Sequence, residues 1–420
     1  MEEICINHKE RKEKCKMMIR GTFFKAVLVL FSMVFILASF GPVSAKDKKE
    51  ILIGTHLSLT GMLAMSGSEQ KWAYEEAVAD INSMGGIYVK EYGKKLPVKL
   101  VVADDESDGG KAAAAVEKLI KLQKVDLILS GHSTPLTIPS MITAEKYKKY
   151  YHGTTCLIPV WAQQNLKWST MFFIDMPSFP DAAYKVMNAL PEKVKRPALL
   201  MEDTLDGRGL GGVLRGGAEK FGYKLAVDEP WAVGAKDYSS QILKLRAKRV
   251  DAVLIFGSTA DTVTFIRQMK ENNCNVKYFH GYKGTWESEF WSALGKDAQY
   301  IMLDGFWSET YGYPGAKELG ARYTRSHNKQ SVSIGLFYAT AQILWRAIEL
   351  AGSLDSAKVR DAVINQEFKG TVMGDVKYGP DGSAGFQIGT FQWVNGRQKL
   401  VYPFVQDAWK TKIITPWDKR

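Results

Sequence analysis

Residues 51–108 constrain the fold of this 420-residue chain more than any other stretch. They read as an apolar strand (Ile51–Leu57), a polar glycine turn (Ser58-Leu59-Thr60-Gly61), a helix closing on Met84-Gly85-Gly86, and a strand ending in acid (Leu100-Val101-Val102-Ala103-Asp104-Asp105). Strand, helix and strand in this order make a βαβ unit. Its first loop lies at the carboxyl end of a strand, where open α/β sheets receive small molecules.

The pattern continues. Runs rich in β-branched and large apolar residues recur at 96–103, 126–129, 171–174, 197–201, 224–227, 252–256 and 276–280. Helical stretches separate them at 110–123, 180–190, 210–221, 240–247 and 262–272. Such alternation predicts an α/β protein with parallel sheets covered by helices on both faces. The chain exceeds what one core usually supports, and the alternation falls into two blocks, 51–172 and 174–303. Ile174-Asp175-Met176-Pro177-Ser178, Asp304-Gly305-Phe306-Trp307-Ser308 and residues 385–394 read as crossings between the blocks. The expected architecture is two Rossmann-like lobes joined by a three-segment hinge. Lobe 1 would hold residues 46–173 and 307–384, and lobe 2 residues 174–306 and 385–420.

Lys14, Lys16, Arg20 and Lys25 precede an apolar run at 26–40, followed by Val43-Ser44-Ala45. That is the layout of a secretory signal peptide cleaved after Ala45, with Met17 or Met18 as a more typical start. The apolar run is shorter than the roughly 20 residues that span a bilayer. The expected product is exported to the periplasm. Residues 1–45 hold seven Lys/Arg and four Asp/Glu, leaving 49 basic against 41 acidic residues, or +8, in the remainder. The positive charges are interspersed with acids, which reads as a solvated surface and not a nucleic-acid stripe. Cys5 and Cys15 leave with the signal; Cys156 and Cys274 could form one disulfide or stay as two buried thiols. No spacing of ligating residues calls for a metal, and no cofactor is expected.

Several loops after strands carry candidate chemistry. In Ser130-Gly131-His132-Ser133-Thr134-Pro135, Ser133 or Thr134 can cap a helix and Pro135 suits its first turn. The same helix start would suit a carboxylate. Gly207-Arg208-Gly209-Leu210-Gly211-Gly212 matches the dinucleotide pattern G-x-G-x-x-G, but Glu202-Asp203-Thr204-Leu205-Asp206 separates it from the preceding strand. Three acids beside a diphosphate argue against a nucleotide.

In order and spacing the chain resembles the periplasmic binding proteins of branched-chain amino acid ABC transporters, the Leu/Ile/Val-binding type. The likeness is strongest at 51–108 and at Gly374-Asp375-Val376-Lys377-Tyr378-Gly379-Pro380-Asp381-Gly382, which fits the family's G-x-hydrophobic-x-F/Y-x-x-D-G turn. The resemblance implies a non-enzymatic, monomeric protein that closes two lobes on a small carboxylate or amino-acid-like ligand and serves an inner-membrane ABC permease. A sensory receptor subunit of the same fold is the alternative. It also implies the ligand-binding positions. The carboxylate-binding hydroxyl falls on Thr134, with Ser133 as the alternative. The next loop offers Thr154 and Cys156, or Thr155 after a one-residue shift. Ser66 aligns with a contact loop, and Asp206 and Ser258 stand where the family commonly has tyrosines. Lys283 replaces an acid that pairs with the ligand's ammonium, which favours a ligand without an amine unless Asp206 serves as counter-charge. Trp161, Tyr282 and Trp286 are candidates for an aromatic wall. Ser107 and Ser133 stand where some members place a disulfide.

Overall fold

The structure, a computed structural model, describes residues 48–404 and 408–419. The signal-peptide assignment and Cys5 and Cys15 therefore lie outside the described residues.

The first block contains β1 (Ile51–Leu57), α1 (Ala64–Ser83), the small hairpin β2 (Ile87–Val89) and β3 (Lys94–Leu96), β4 (Val98–Asp104) and α2 (Gly109–Lys121). It continues through β5 (Leu127–Leu129), α3 (Thr134–Lys146), β6 (Tyr151–Thr154), α4 (Ile158–Ala162) and β7 (Ser169–Ile174). The second block contains α5 (Ser178–Asn188), β8 (Pro197–Glu202), α6 (Leu205–Lys220), β9 (Val227–Trp231), α7 (Ser239–Ala247), β10 (Ala252–Phe256), α8 (Thr259–Glu271), β11 (Tyr278–Gly281), α9 (Ser288–Leu294) and β12 (Met302–Gly305). The remainder supplies α10 (Ala316–His327), α11 (Ile334–Ala351), α12 (Ser356–Asp361), β13 (Glu367–Thr371), β14 (Gly374–Lys377), β15 (Ser383–Phe386), β16 (Gly389–Val394) and β17 (Arg397–Tyr402).

Two sheets result. The first runs β15-β7-β6-β5-β1-β4, all parallel. The second runs β17-β16-β12-β11-β10-β8-β9, parallel from β12 to β9 and antiparallel at β16 and β17. Helices on both faces bury the central strands, which explains why β1, β8 and β10 read as nearly continuous apolar runs. The helix α11 is buried along most of its length and packs on α1 and β6, so the third segment completes the first lobe's core. No helix among the described residues is long and apolar enough to cross a membrane.

Three details depart from the sequence reading. The run at 385–394, read as one crossing, is two strands in different sheets: β15 pairs with β7 and β16 with β12, and only Gln387 and Ile388 connect them. The strand expected at 224–227 begins instead at Val227 and runs through Pro230, which is tolerated because β9 is an edge strand. The glycine-rich 207–212 stretch lies inside α6 and forms no phosphate loop. Gly207 is needed there because a Cβ would lie 1.9 Å from the Glu202 carbonyl oxygen.

Candidate functional site

A cavity opens where the carboxyl ends of the two sheets face each other. From the first lobe come His132 and Ser133 after β5, Thr155 after β6, Leu157, and Phe173 and Ile174 at the end of β7. From the second come Phe179 on α5, Asp206 and Leu210 on α6, Phe256 ending β10, Lys283 and Trp286 after β11, and Phe306 after β12. Every wall grows from or beside a strand's carboxyl end, the place α/β sheets reserve for ligands. Mostly apolar lining with a few polar groups is the usual make-up of a small-molecule pocket.

The first lobe's polar loop is held from below. Tyr74 and Gln70 of α1 donate to the Ser130 carbonyl at 2.9 Å, and the Gly131 N–H donates to the Tyr151 hydroxyl at 3.2 Å. That hydroxyl meets His56 Nε2 at 2.7 Å, and His56 Nδ1 meets Asp105 at 2.9 Å, all wholly buried. On this platform Ser133 takes φ 72° and Thr155 φ 53°. Positive φ is costly for residues other than glycine, most of all for a β-branched one, and such strain concentrates at binding sites.

Ser133 is the N-cap of α3, yet its side chain makes no capping bond. Its Oγ instead donates to Asp206 Oδ2 across the cleft at 2.8 Å. The other oxygen of Asp206 is buried without a partner. Asp206 itself sits in the first turn of α6, not in the preceding loop as the sequence reading had it, because Thr204 caps the helix by accepting from the Gly207 N–H at 3.1 Å.

Lys283 reaches the cavity wall with its charge already matched. Its Nζ donates to Glu202 Oε1 at 2.6 Å and lies 4.8 Å from the centre of the Phe256 ring, and both partners of the ion pair are nearly inaccessible. Glu202 also accepts from Thr204 Oγ1 at 3.0 Å. Trp286 is fixed by its Nε1–H donating to Asp304 at 2.5 Å and by edge-on contact with Phe306.

Of the expected positions, Ser133, Asp206, Lys283 and Trp286 meet at this cavity, and Thr155 joins them as the shifted alternative. The shift has a plain cause: β6 runs through Thr154, whose hydroxyl donates inside the sheet to the Phe172 carbonyl at 2.8 Å. The other expected residues are engaged away from the lining. Thr134 Oγ1 accepts the Leu157 N–H at 3.0 Å. Cys156 is a buried free thiol whose proton burial holds tightly, and Cys274, likewise free, is pushed up to about 11 by burial. Ser258 caps α8, accepting from the Asp261 N–H at 3.2 Å and donating to its carboxylate at 2.9 Å. Ser66 donates to Glu287 of the other lobe at 2.5 Å, a bridge outside the cavity. Trp161 is bonded to Ser169, and Tyr282 stacks on His280. His132, Glu202, Phe173, Phe179, Phe256 and Phe306 were not singled out by sequence. The available signal was position, since the wall aromatics cluster at strand ends. Among the described residues no three His, Cys, Asp or Glu converge to hold a metal.

Comparison with known proteins agrees with this architecture. The profile of the family described as "Periplasmic binding protein" matches residues 50–398. A "Leu/Ile/Val-binding protein homolog 2" of Brucella abortus (strain 2308) is 26% identical over 353 residues, 83% of this chain and 91% of that protein. The branched-chain amino acid transporter substrate-binding protein LivJ of Streptococcus pneumoniae, solved with isoleucine, superposes with a TM-score of 0.73 at 19% identity, covering 83% of this chain and 98% of that one. A solute-binding protein of an ABC transporter from Rhodopseudomonas palustris BisB5, solved with 3,4-dihydroxybenzoic acid, gives 0.70 at 15% identity over 84% and 95%. A match to nearly the whole described chain, on two lobes that meet at a cleft, shows that this chain belongs to the periplasmic binding protein family, a family of solute-binding proteins and not of enzymes.

Proposed function

We propose that the protein works in the periplasm, captures a small amino-acid-like carboxylate between its lobes and delivers it to an inner-membrane ABC importer. The observation that carries the reading is the Ser133–Asp206 contact across an apolar-walled cavity. The amides of the α3 N-terminus suit a carboxylate, to which the Ser133 hydroxyl would turn on releasing Asp206. The partnerless, acceptor-only oxygen of Asp206 suits an ammonium group. Lys283 does not oppose that amine, because Glu202 neutralises it. Phe173, Phe179, Phe256 and Trp286 would then enclose the ligand's side chain.

The two solved relatives carry isoleucine and an aromatic acid, so the amine decides between ligand classes. Thermal-shift and calorimetric titration with leucine and phenylalanine, their α-keto acids and 3,4-dihydroxybenzoate test it directly. The amino acids should raise Tm more than their keto acids, and Asp206→Asn should erase that difference. Tighter binding of the keto acids or of the benzoate by the native protein would sink the reading. Delivery predicts that a deletion strain loses uptake of the bound solute; normal uptake with a lost response to the solute would favour a sensory role.

A further inference from the structure

His132 lines the same cavity and is 3% exposed. It makes no hydrogen bond to another described residue, and its Nδ1 is buried without a partner. Its ring packs edge-on against Phe337 of α11, with centroids 6.0 Å apart. Two charged groups, Lys283 and Asp105, act on it through space only. Burial, reinforced by the Lys283 ammonium, pulls the imidazole down to about 4, so it is neutral throughout the physiological range.

A neutral imidazole carries one N–H donor and one bare acceptor nitrogen. Buried polar atoms in folded proteins are almost always satisfied. The imidazole lines a mostly apolar cavity, and no described residue forms a hydrogen bond with it. A molecule held in the cavity can supply one. A carboxylate meets only the N–H and has the α3 N-terminus available. A hydroxyl or amide both donates and accepts, so it matches whichever nitrogen the tautomer presents.

We propose that His132 is a specificity-determining residue that hydrogen-bonds a neutral hydroxyl or amide on the ligand's side chain. The preferred ligands are then amino-acid-like molecules bearing such a group, not purely hydrocarbon ones. This rests on the amino-acid-like reading of the cleft.

Near-isosteric pairs test it: threonine with valine, asparagine with leucine, tyrosine with phenylalanine, each titrated calorimetrically into the native protein. A site built to pair a polar group discriminates strongly against the analogue lacking it, so the polar member of at least one pair should bind about 10-fold tighter or more. His132→Phe, which keeps an aromatic ring against Phe337, should reduce that ratio to about 2-fold or less while the apolar partner still binds. His132→Gln, a neutral donor and acceptor, should preserve it. Preference for the apolar member in every pair overturns the inference by itself, without any variant. So does a polar preference that survives in His132→Phe, or, where that variant does not fold, one lost in His132→Gln. Binding of the keto acids but of no amino acid refutes the reading of the cleft and this inference together, whereas binding of the amino acids with the apolar member preferred in every pair refutes the inference alone.

Discussion

Ser133 carries two costs at once: a positive φ and a forgone helix cap, the latter usually worth about 1 kcal/mol. Because the cap is not made, Ser133→Ala should spare the helix start and cost about 1–3 kcal/mol through the buried Asp206 carboxylate it leaves unpaired, while weakening ligand binding. Chemical denaturation beside calorimetry checks this; unchanged stability, or a loss that persists in an Asp206→Asn background, would contradict it. Lys283 and Glu202 form the opposite case, a buried pair in which each charge needs the other. Lys283→Met or Glu202→Gln alone should cost about 3–5 kcal/mol, and the double variant distinctly less than the sum. Additive losses in the double-mutant cycle would show that the two charges are independent. This pair also marks a limit of sequence reading. Lys283 was visible as a departure from the family pattern, but Glu202 lies 81 residues away, so the lysine read as a free cation. Thr155 is hard to place from sequence for a smaller reason, since one further residue of β6 decides which threonine lines the cavity.

At the scale of elements, two serine N-caps of similar sequence context do different work. Ser258 caps α8 and Ser133 leaves α3 uncapped, a distinction set by what stands opposite each hydroxyl. Ser258→Ala should therefore cost about 1 kcal/mol in denaturant unfolding and leave ligand affinity unchanged. Reduced affinity at full stability would instead give Ser258 a binding role. The strand–helix order was legible because burial on both sheet faces writes continuous apolar runs, and the lobes followed from their two blocks. What escaped were junctions: β15 and β16 share one alternating stretch, and only pairing partners reveal that they belong to different sheets. The start of α6 escaped too, because its glycines disguise a helix whose first turn carries Asp206.

At the scale of the whole molecule, buried titratable groups set a pH window. Desolvation raises Glu69 to about 8 despite hydrogen bonds from Ser331 and Tyr323, and raises Asp304 to about 8 despite Trp286. Glu287, which bridges to Ser66 of the other lobe, is raised by the same burial. Desolvation also lowers His132 to about 4 and His152 and His280 to about 3. The histidines are neutral in the fold but protonated in the unfolded chain below 6.5, so their contribution is lost as pH falls. The carboxyls are protonated in the fold but ionised in the unfolded chain above about 4, so theirs is lost as pH rises towards 8. Below 6.5 the two slopes oppose; above it the histidine term has vanished and only the carboxyl term remains. Stability should therefore fall between pH 6.5 and 8, by up to about 1.4 kcal/mol per pH unit for each fully titrating carboxyl. Scanning calorimetry across that interval measures the fall, and the Glu69→Gln/Asp304→Asn double variant, uncharged at both sites, should remove most of it. A native Tm that stays level from pH 6.5 to 8, or a double variant that falls as steeply, would mean that these carboxyls are ionised in the folded protein.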